Sequence, residues 1–175
     1  MAAIKVGDTI PEGTFKYIPW SEALNDNLVC GAPVELSTSE WKGKKVVLFS
    51  VPGAFTCSLF SRPATQTTSP PYLEKFDQFK AKGVDAIAVL AANDPFVMSG
   101  WARFEGLKDK IIALSDNGAQ WSKKLGLDKD LTANGLGIRT SRYALILEDN
   151  VVKYVGIETE RGVTVSGADA VLAHL

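Results

Sequence analysis

The sequence predicts an α/β sandwich with a central mixed sheet flanked by helices. Three observations carry this. Between residues 45 and 126, apolar strand-like runs alternate with segments of helical spacing. A hairpin and a final helix close the chain. An apolar content of 46% and a charged content of 22% are those of an ordinary globule. At 175 residues the expectation is one domain, residues 1–175, with a full core.

Residues 1–40 read as a loop- and hairpin-rich lead-in. Lys42-Gly43-Lys44-Lys45 reads as a solvated turn, and Lys45 to Val51 as a buried strand. Tyr72 to Ala81 is a helix, because Leu73, Phe76, Phe79 and Lys80 share one largely apolar face, and Gly83 caps it. Val84 to Ala91 is an apolar strand. Pro95 to Phe104 is a helix with proline at its start. Ile111 to Leu114 is a short strand, and Ala119 to Leu125 a helix ended by Gly126. Arg142 to Leu147 and Val151 to Ile157 form a hairpin around Glu148-Asp149-Asn150. Ser166 caps the final helix, Gly167 to His174.

Composition narrows the function. A net charge of −1 without a basic run argues against nucleic-acid binding. No apolar stretch is long enough to span a membrane, and the amino terminus lacks the apolar core of a signal peptide. Two cysteines point to thiol chemistry or buried thiols, not a disulfide framework. With His174 as the sole histidine, a zinc site would need an unusual ligand set. There is no Cys-x-x-Cys motif of a disulfide oxidoreductase.

The chemistry concentrates at Ser50-Val51-Pro52-Gly53-Ala54-Phe55-Thr56-Cys57. Pro52 and Gly53 stop a strand, and Cys57 follows where the chain leaves the sheet. A thiol near a helix start meets unpaired N–H groups, which favour the reactive thiolate. The alternative is a buried cysteine acting as a small hydrophobe, and position alone leaves both open.

The wording of this stretch resembles the peroxiredoxins, in the branch with fungal peroxisomal and allergen-type members. The likeness continues through Phe15-Lys16-Tyr17-Ile18-Pro19-Trp20, Lys82-Gly83-Val84-Asp85, Asn93-Asp94-Pro95-Phe96-Val97-Met98 with Trp101, Leu114-Ser115-Asp116, and Gly137-Ile138-Arg139-Thr140-Ser141-Arg142-Tyr143-Ala144-Leu145. The resemblance implies a thioredoxin-like fold with peroxiredoxin additions. It also implies a thiol peroxidase acting on hydrogen peroxide and alkyl hydroperoxides, reduced by thioredoxin, glutaredoxin or glutathione, with no metal, haem or flavin cofactor.

By the same resemblance Pro52 and Thr56 belong to a Pro-x-x-x-Thr-x-x-Cys loop. Arg142 is the arginine that opens the late strand and holds thiolate and peroxide together, with Arg139 as the alternative. Cys57 is the best peroxidatic candidate. Cys30 either resolves the sulfenic acid or is inert. Phe96, Met98 and Trp101 serve a homodimer face or the core. Ala173-His174-Leu175 resembles a peroxisomal address, so the expected location is peroxisomal, cytoplasmic or both. The competing functional class is a catalytically impaired relative acting as a redox sensor or interaction protein.

The chain departs from the family at one place. Cys57 follows Thr56 directly, whereas the family sets two residues between them. The family histidine is missing, and residues 57–70 run about five residues beyond the family spacing. Reading the codons implied by Ser61 to Pro70 with a one-frame offset gives Pro-Thr-Cys-Asn-x-Asn-His-Leu-Pro, running into Pro71-Tyr72-Leu73. Placed after Thr56, this restores both the cysteine and the histidine spacing. Residues 57–70 are therefore expected to be an out-of-frame reading of a mis-spliced or mis-called gene segment, and to form an exposed irregular loop with regular helix resuming near Tyr72.

Overall fold

The computed structural model describes residues 3–56, 69–160 and 162–175. A seven-stranded mixed sheet forms its centre. In chain order the strands are β1 (Thr14–Tyr17), β2 (Val34–Ser37), β3 (Lys45–Ser50), β4 (Ala86–Ala91), β5 (Ile112–Ser115), β6 (Asp128–Asp130), β7 (Ile138–Thr140), β8 (Tyr143–Glu148) and β9 (Val151–Ile157). The order across the large sheet is β2-β1-β5-β4-β3-β8-β9, and β6 and β7 make a separate pair. β3, β4 and β5 run parallel, while β8 runs antiparallel to β3 and to β9. The α-helices are α1 (Ser69–Glu74), α2 (Phe76–Ala81), α3 (Pro95–Phe104), α4 (Gln120–Lys124) and α5 (Ala168–Leu172). None of the described helices is long and apolar enough to cross a membrane.

The central strands are buried on both faces, as parallel strands between helices must be. Their alternation sorts side chains into two cores. Val47, Phe49, Ile87, Val89, Ala144 and Ile146 face Tyr72, Phe79, Met98, Trp101 and Val171 from the helices. Val46, Leu48, Ala88, Leu90 and Tyr143 face Phe15, Trp41, Trp121 and Leu125 on the other side. Met98 and Trp101 are thus core residues, while Phe96 is 55% exposed. Core packing takes two of the three residues considered for a dimer face.

Helix α3 lies where the sequence puts it. Asp94 Oδ1 accepts from the Phe96 and Val97 amides at 2.9 and 3.1 Å, and Pro95 occupies the first turn, where its missing N–H costs nothing. The β8–β9 hairpin also stands as expected, with Asp149 and Asn150 both at positive φ.

Three expectations need correction. The helix foreseen over 72–81 is two helices broken at Lys75, which pairs with Asp169 of α5. Its start is at Ser69, because Pro70 and Pro71 fall in a first turn that needs no amide donors. Ser166 does not cap α5; its hydroxyl and amide both donate to Glu158, and Gly167 holds the cap position without a side-chain bond. Strands β6 and β7 are too short and too charged to show periodicity, and they fill a stretch that the sequence leaves unassigned. Residues 57–68, with Cys57 and most of the expected irregular loop, lie outside the described residues.

Candidate active site

β3 ends where its register does. Ser50 pairs with Leu90 on β4 and with Tyr143 on β8. The Val51 amide still reaches the Leu90 carbonyl at 3.0 Å, and then Pro52 ends the ladder by lacking a donor. The released chain is caught from several sides. Thr140 Oγ1 donates to the Val51 carbonyl at 2.7 Å in a buried bond. The Ala54 amide donates to Asn93 Oδ1 at 2.8 Å. Thr56 Oγ1 donates back to the Gly53 carbonyl at 2.6 Å and closes a tight turn.

Phe55 pays for that turn with φ of 57°, a left-handed conformation that non-glycine residues seldom adopt. Gly53 is required for a different reason. A Cβ there would lie 3.1 Å from Arg139 Nη1, 3.1 Å from Thr56 Cγ2 and 3.3 Å from Asn93 Oδ1, so three side chains converge where glycine leaves room.

Pro52, Thr56 and Arg142, picked out in the sequence, come to one end of the sheet. Pro52 is half-buried and Thr56 is exposed, with its single hydroxyl proton committed to Gly53 and its lone pairs left to accept. Arg142 stands one residue beyond the Ser50–Tyr143 pair, at the level of Val51. Burial pushes its guanidinium below its ordinary pKa, and the Glu158 charge opposes that push. An arginine keeps its proton in either case.

Arg139, the alternative, is also at the loop: its Nε donates to the Leu136 carbonyl at 2.7 Å while Nη1 lies against Gly53. Cys57 lies outside the described residues. Cys30 is an exposed free thiol on the lead-in. The lead-in is tied to α3 by Arg103 Nη1, which donates to the Leu24, Asp26 and Val29 carbonyls at 3.4, 3.4 and 3.1 Å.

Sequence reasoning missed Asn93 and Thr140. Both lie in segments that carry the family likeness, but their role is to hold the backbone of a distant loop. A polar residue just past the end of an apolar strand, as Asn93 follows β4 after Ala92, is the available signal. Around the loop an apolar rim is exposed: Phe55 at 55% and Phe104 at 77%, with ring centroids 5.8 Å apart. Among the described residues no cluster of three His, Cys, Asp or Glu side chains is placed to hold a metal.

A family model described as Redoxin matches residues 5–172. A putative peroxiredoxin of Malassezia furfur is 46% identical over 155 residues, covering 88% of this chain and 90% of that protein. A putative peroxisomal peroxiredoxin of Lipomyces kononenkoae is 45% identical over 171 residues, covering 96% and 99% of the two chains. Among solved structures, the reduced Prx3 of Vibrio vulnificus in complex with hydrogen peroxide superposes with a TM-score of 0.81 at 37% identity, covering 97% of this chain and 98% of that one.

Proposed function

The chain belongs to the peroxiredoxins, and from that premise we propose that it is a thiol peroxidase whose reacting sulfur is Cys57. The observation that carries the reading is the 51–56 loop. Thr140 and Asn93 hydrogen-bond it, Arg139 Nη1 lies against Gly53, it ends on Thr56 immediately before the cysteine, and Arg142 stands at its base.

The reaction is a displacement on oxygen. The Cys57 thiolate attacks the terminal peroxide oxygen, the S–O bond forms as the O–O bond breaks, and the released alkoxide or hydroxide takes a proton. Cysteine is left as sulfenic acid. Arg142 supplies the cation that favours thiolate and stabilises charge on the departing oxygen. Thr56, whose hydroxyl donates to Gly53 and accepts from the other side, receives the peroxide O–H and orients it. Pro52 ends the β3 ladder and so starts the turn that places Thr56.

The substrates are hydrogen peroxide and alkyl hydroperoxides. The returning electrons come from thioredoxin, glutaredoxin or glutathione, with Cys30 as the candidate resolving thiol. The exposed Phe55, Phe96 and Phe104 support a homodimer face. Ala173-His174-Leu175 is read as a peroxisomal address alongside a cytoplasmic pool. In the folded chain the His174 ring lies 4.1 Å from Tyr154, and Leu175 packs on the core. An import receptor therefore has to lift this last turn.

Brief exposure to one equivalent of peroxide at neutral pH, followed by mass spectrometry of the digested chain, tests the assignment. Cys57 is expected to carry the added oxygen before Cys30 does, and native mass spectra of the same sample are expected at twice the chain mass. Oxygen on Cys30 first would refute the assignment of Cys57.

A further inference from the structure

Alternate residues of β9 do something that its sequence does not advertise. Tyr154 pairs with Ile146 and Gly156 with Ala144, so both face the core under α5. The next residue on that face is Glu158, just past the strand end. Tyr143 pairs with Ile157, so the register sets Glu158 directly opposite Arg142, and the Glu158 amide donates to the Arg142 carbonyl at 3.0 Å. Opposed residues on antiparallel strands project to the same side and lie within reach of each other, and opposite charges there attract.

The same three positions hold the strap formed by residues 163–166. Tyr154 Oη donates to the Val165 carbonyl at 2.7 Å. Beneath it Gly156 leaves room: a Cβ would come within 2.3 Å of the Val165 oxygen. Glu158 Oε1 accepts from the Thr164 amide at 2.6 Å and from the Ser166 amide and hydroxyl, each at 2.8 Å, while Oε2 accepts from Thr164 Oγ1 at 2.7 Å. Burial pushes the Glu158 carboxyl up, but these donors together hold it below its usual range, so it is charged at neutral pH. The strap carries the connection onward. The Ser166 carbonyl accepts from Tyr72 Oη at 2.7 Å, and the Tyr72 ring stacks on Phe49 of β3 at 4.0 Å. Phe49 lies two residues before the loop that ends on Thr56.

We infer that Glu158 is a positioning residue for the peroxidase reaction: its carboxylate clamps the 163–166 strap and, from the opposed position beyond β9, holds the Arg142 guanidinium at the base of the 51–56 loop. Four donors fix the carboxylate, so it is a rigid counter-charge. A half-buried guanidinium needs such a partner to stay ordered. Glu158 does not touch substrate; it acts through Arg142, and the inference therefore rests on the role given to Arg142 above.

The test is a double-mutant cycle in a Cys30→Ser background, reading the pH midpoint of Cys57 alkylation by iodoacetamide, with thermal melts on every variant. Arg142→Gln alone is expected to raise the midpoint by about one pH unit, because a nearby cation favours thiolate. Glu158→Gln is expected to raise it comparably while the guanidinium is present. In the Arg142→Gln background Glu158→Gln is expected to leave the midpoint unchanged or lower it, since only a negative charge is then lost.

A role confined to clamping the strap would shift the midpoint equally in both backgrounds, and that result overturns the inference. If Arg142→Gln itself moves nothing, the reading of Arg142 fails first and takes the inference with it. Should Glu158→Gln not melt cooperatively, Glu158→Asp carries the same cycle. It keeps the charge, but its shorter arm cannot serve both strap and guanidinium, and the same dependence on background is expected.

Discussion

Replacing residues 57–70 with Pro-Thr-Cys-Asn-x-Asn-His-Leu-Pro, x being a small residue, is expected to raise the rate constant for peroxide consumption by about 100-fold or more. The cause lies at Thr56. Its hydroxyl and the turn beneath it are fixed by Gly53, Asn93 and Thr140, so the place where a peroxide would bind is set before the cysteine is reached. In the chain as written Cys57 comes directly after Thr56, two positions short of the family spacing. A reacting atom misplaced by even about 1 Å can forfeit that 100-fold factor.

The replacement returns the sulfur to its spacing, restores the histidine, and removes about five residues of polar, proline-containing sequence with little apolar periodicity. The melting temperature is expected to rise with the rate. Equal activity and equal melting of the two forms would contradict both the out-of-frame reading and the account of Thr56. Transcript reads across residues 55–72 check the same reading from the nucleic-acid side: a message that encodes Cys57-Ser58-Leu59 in frame refutes it.

Arg142→Lys is expected to slow peroxide reduction by about 100-fold, the usual loss when one charge-stabilising donor is removed. Lysine keeps the positive charge but not the planar fork that can face a thiolate and a peroxide oxygen together. The side chain stands at the sheet end, beyond the Tyr143 pairs, and the two apolar cores do not include it. The melting temperature is therefore expected to move by no more than about 4 °C. Stopped-flow peroxide consumption and a thermal melt on the same preparation read both numbers. Unchanged kinetics in a folded variant would remove Arg142 from the mechanism.

Much of this architecture is legible because its causes are local. The start of α3 is written in Asp94-Pro95, a cap and a first-turn proline side by side. The β8–β9 turn is written in Asp149-Asn150, both of which tolerate positive φ. The Val46-to-Ser50 run shows a buried strand by composition alone. What escapes the sequence is non-local. The break at Lys75 goes with its ion pair to Asp169 on α5, far along the chain. Ser166 has the chemistry of a helix cap, but the Glu158 carboxylate competes for its donors and wins, because one charged acceptor gathers four hydrogen bonds at once.

The site divides along the same line. Pro52, Thr56 and Arg142 stand in runs that carry a family likeness. Asn93, Thr140 and Glu158 hold backbone that is distant in sequence, and those partners emerge only from the three-dimensional register. The sequence does contain a trace of the Glu158 clamp: a glycine two residues before it and hydroxyl residues Thr164 and Ser166 shortly after, a pattern that acquires meaning once the strap is seen to cross over Gly156.

The most direct measurement of the central claim is peroxide consumption by the full chain with dithiothreitol as reductant, compared among the unaltered protein, Cys57→Ser and Cys30→Ser. Cys57→Ser is expected to abolish consumption above the uncatalysed background, while Cys30→Ser is expected to retain the first turnover at an unchanged rate. Peroxide consumption that survives Cys57→Ser would contradict the claim.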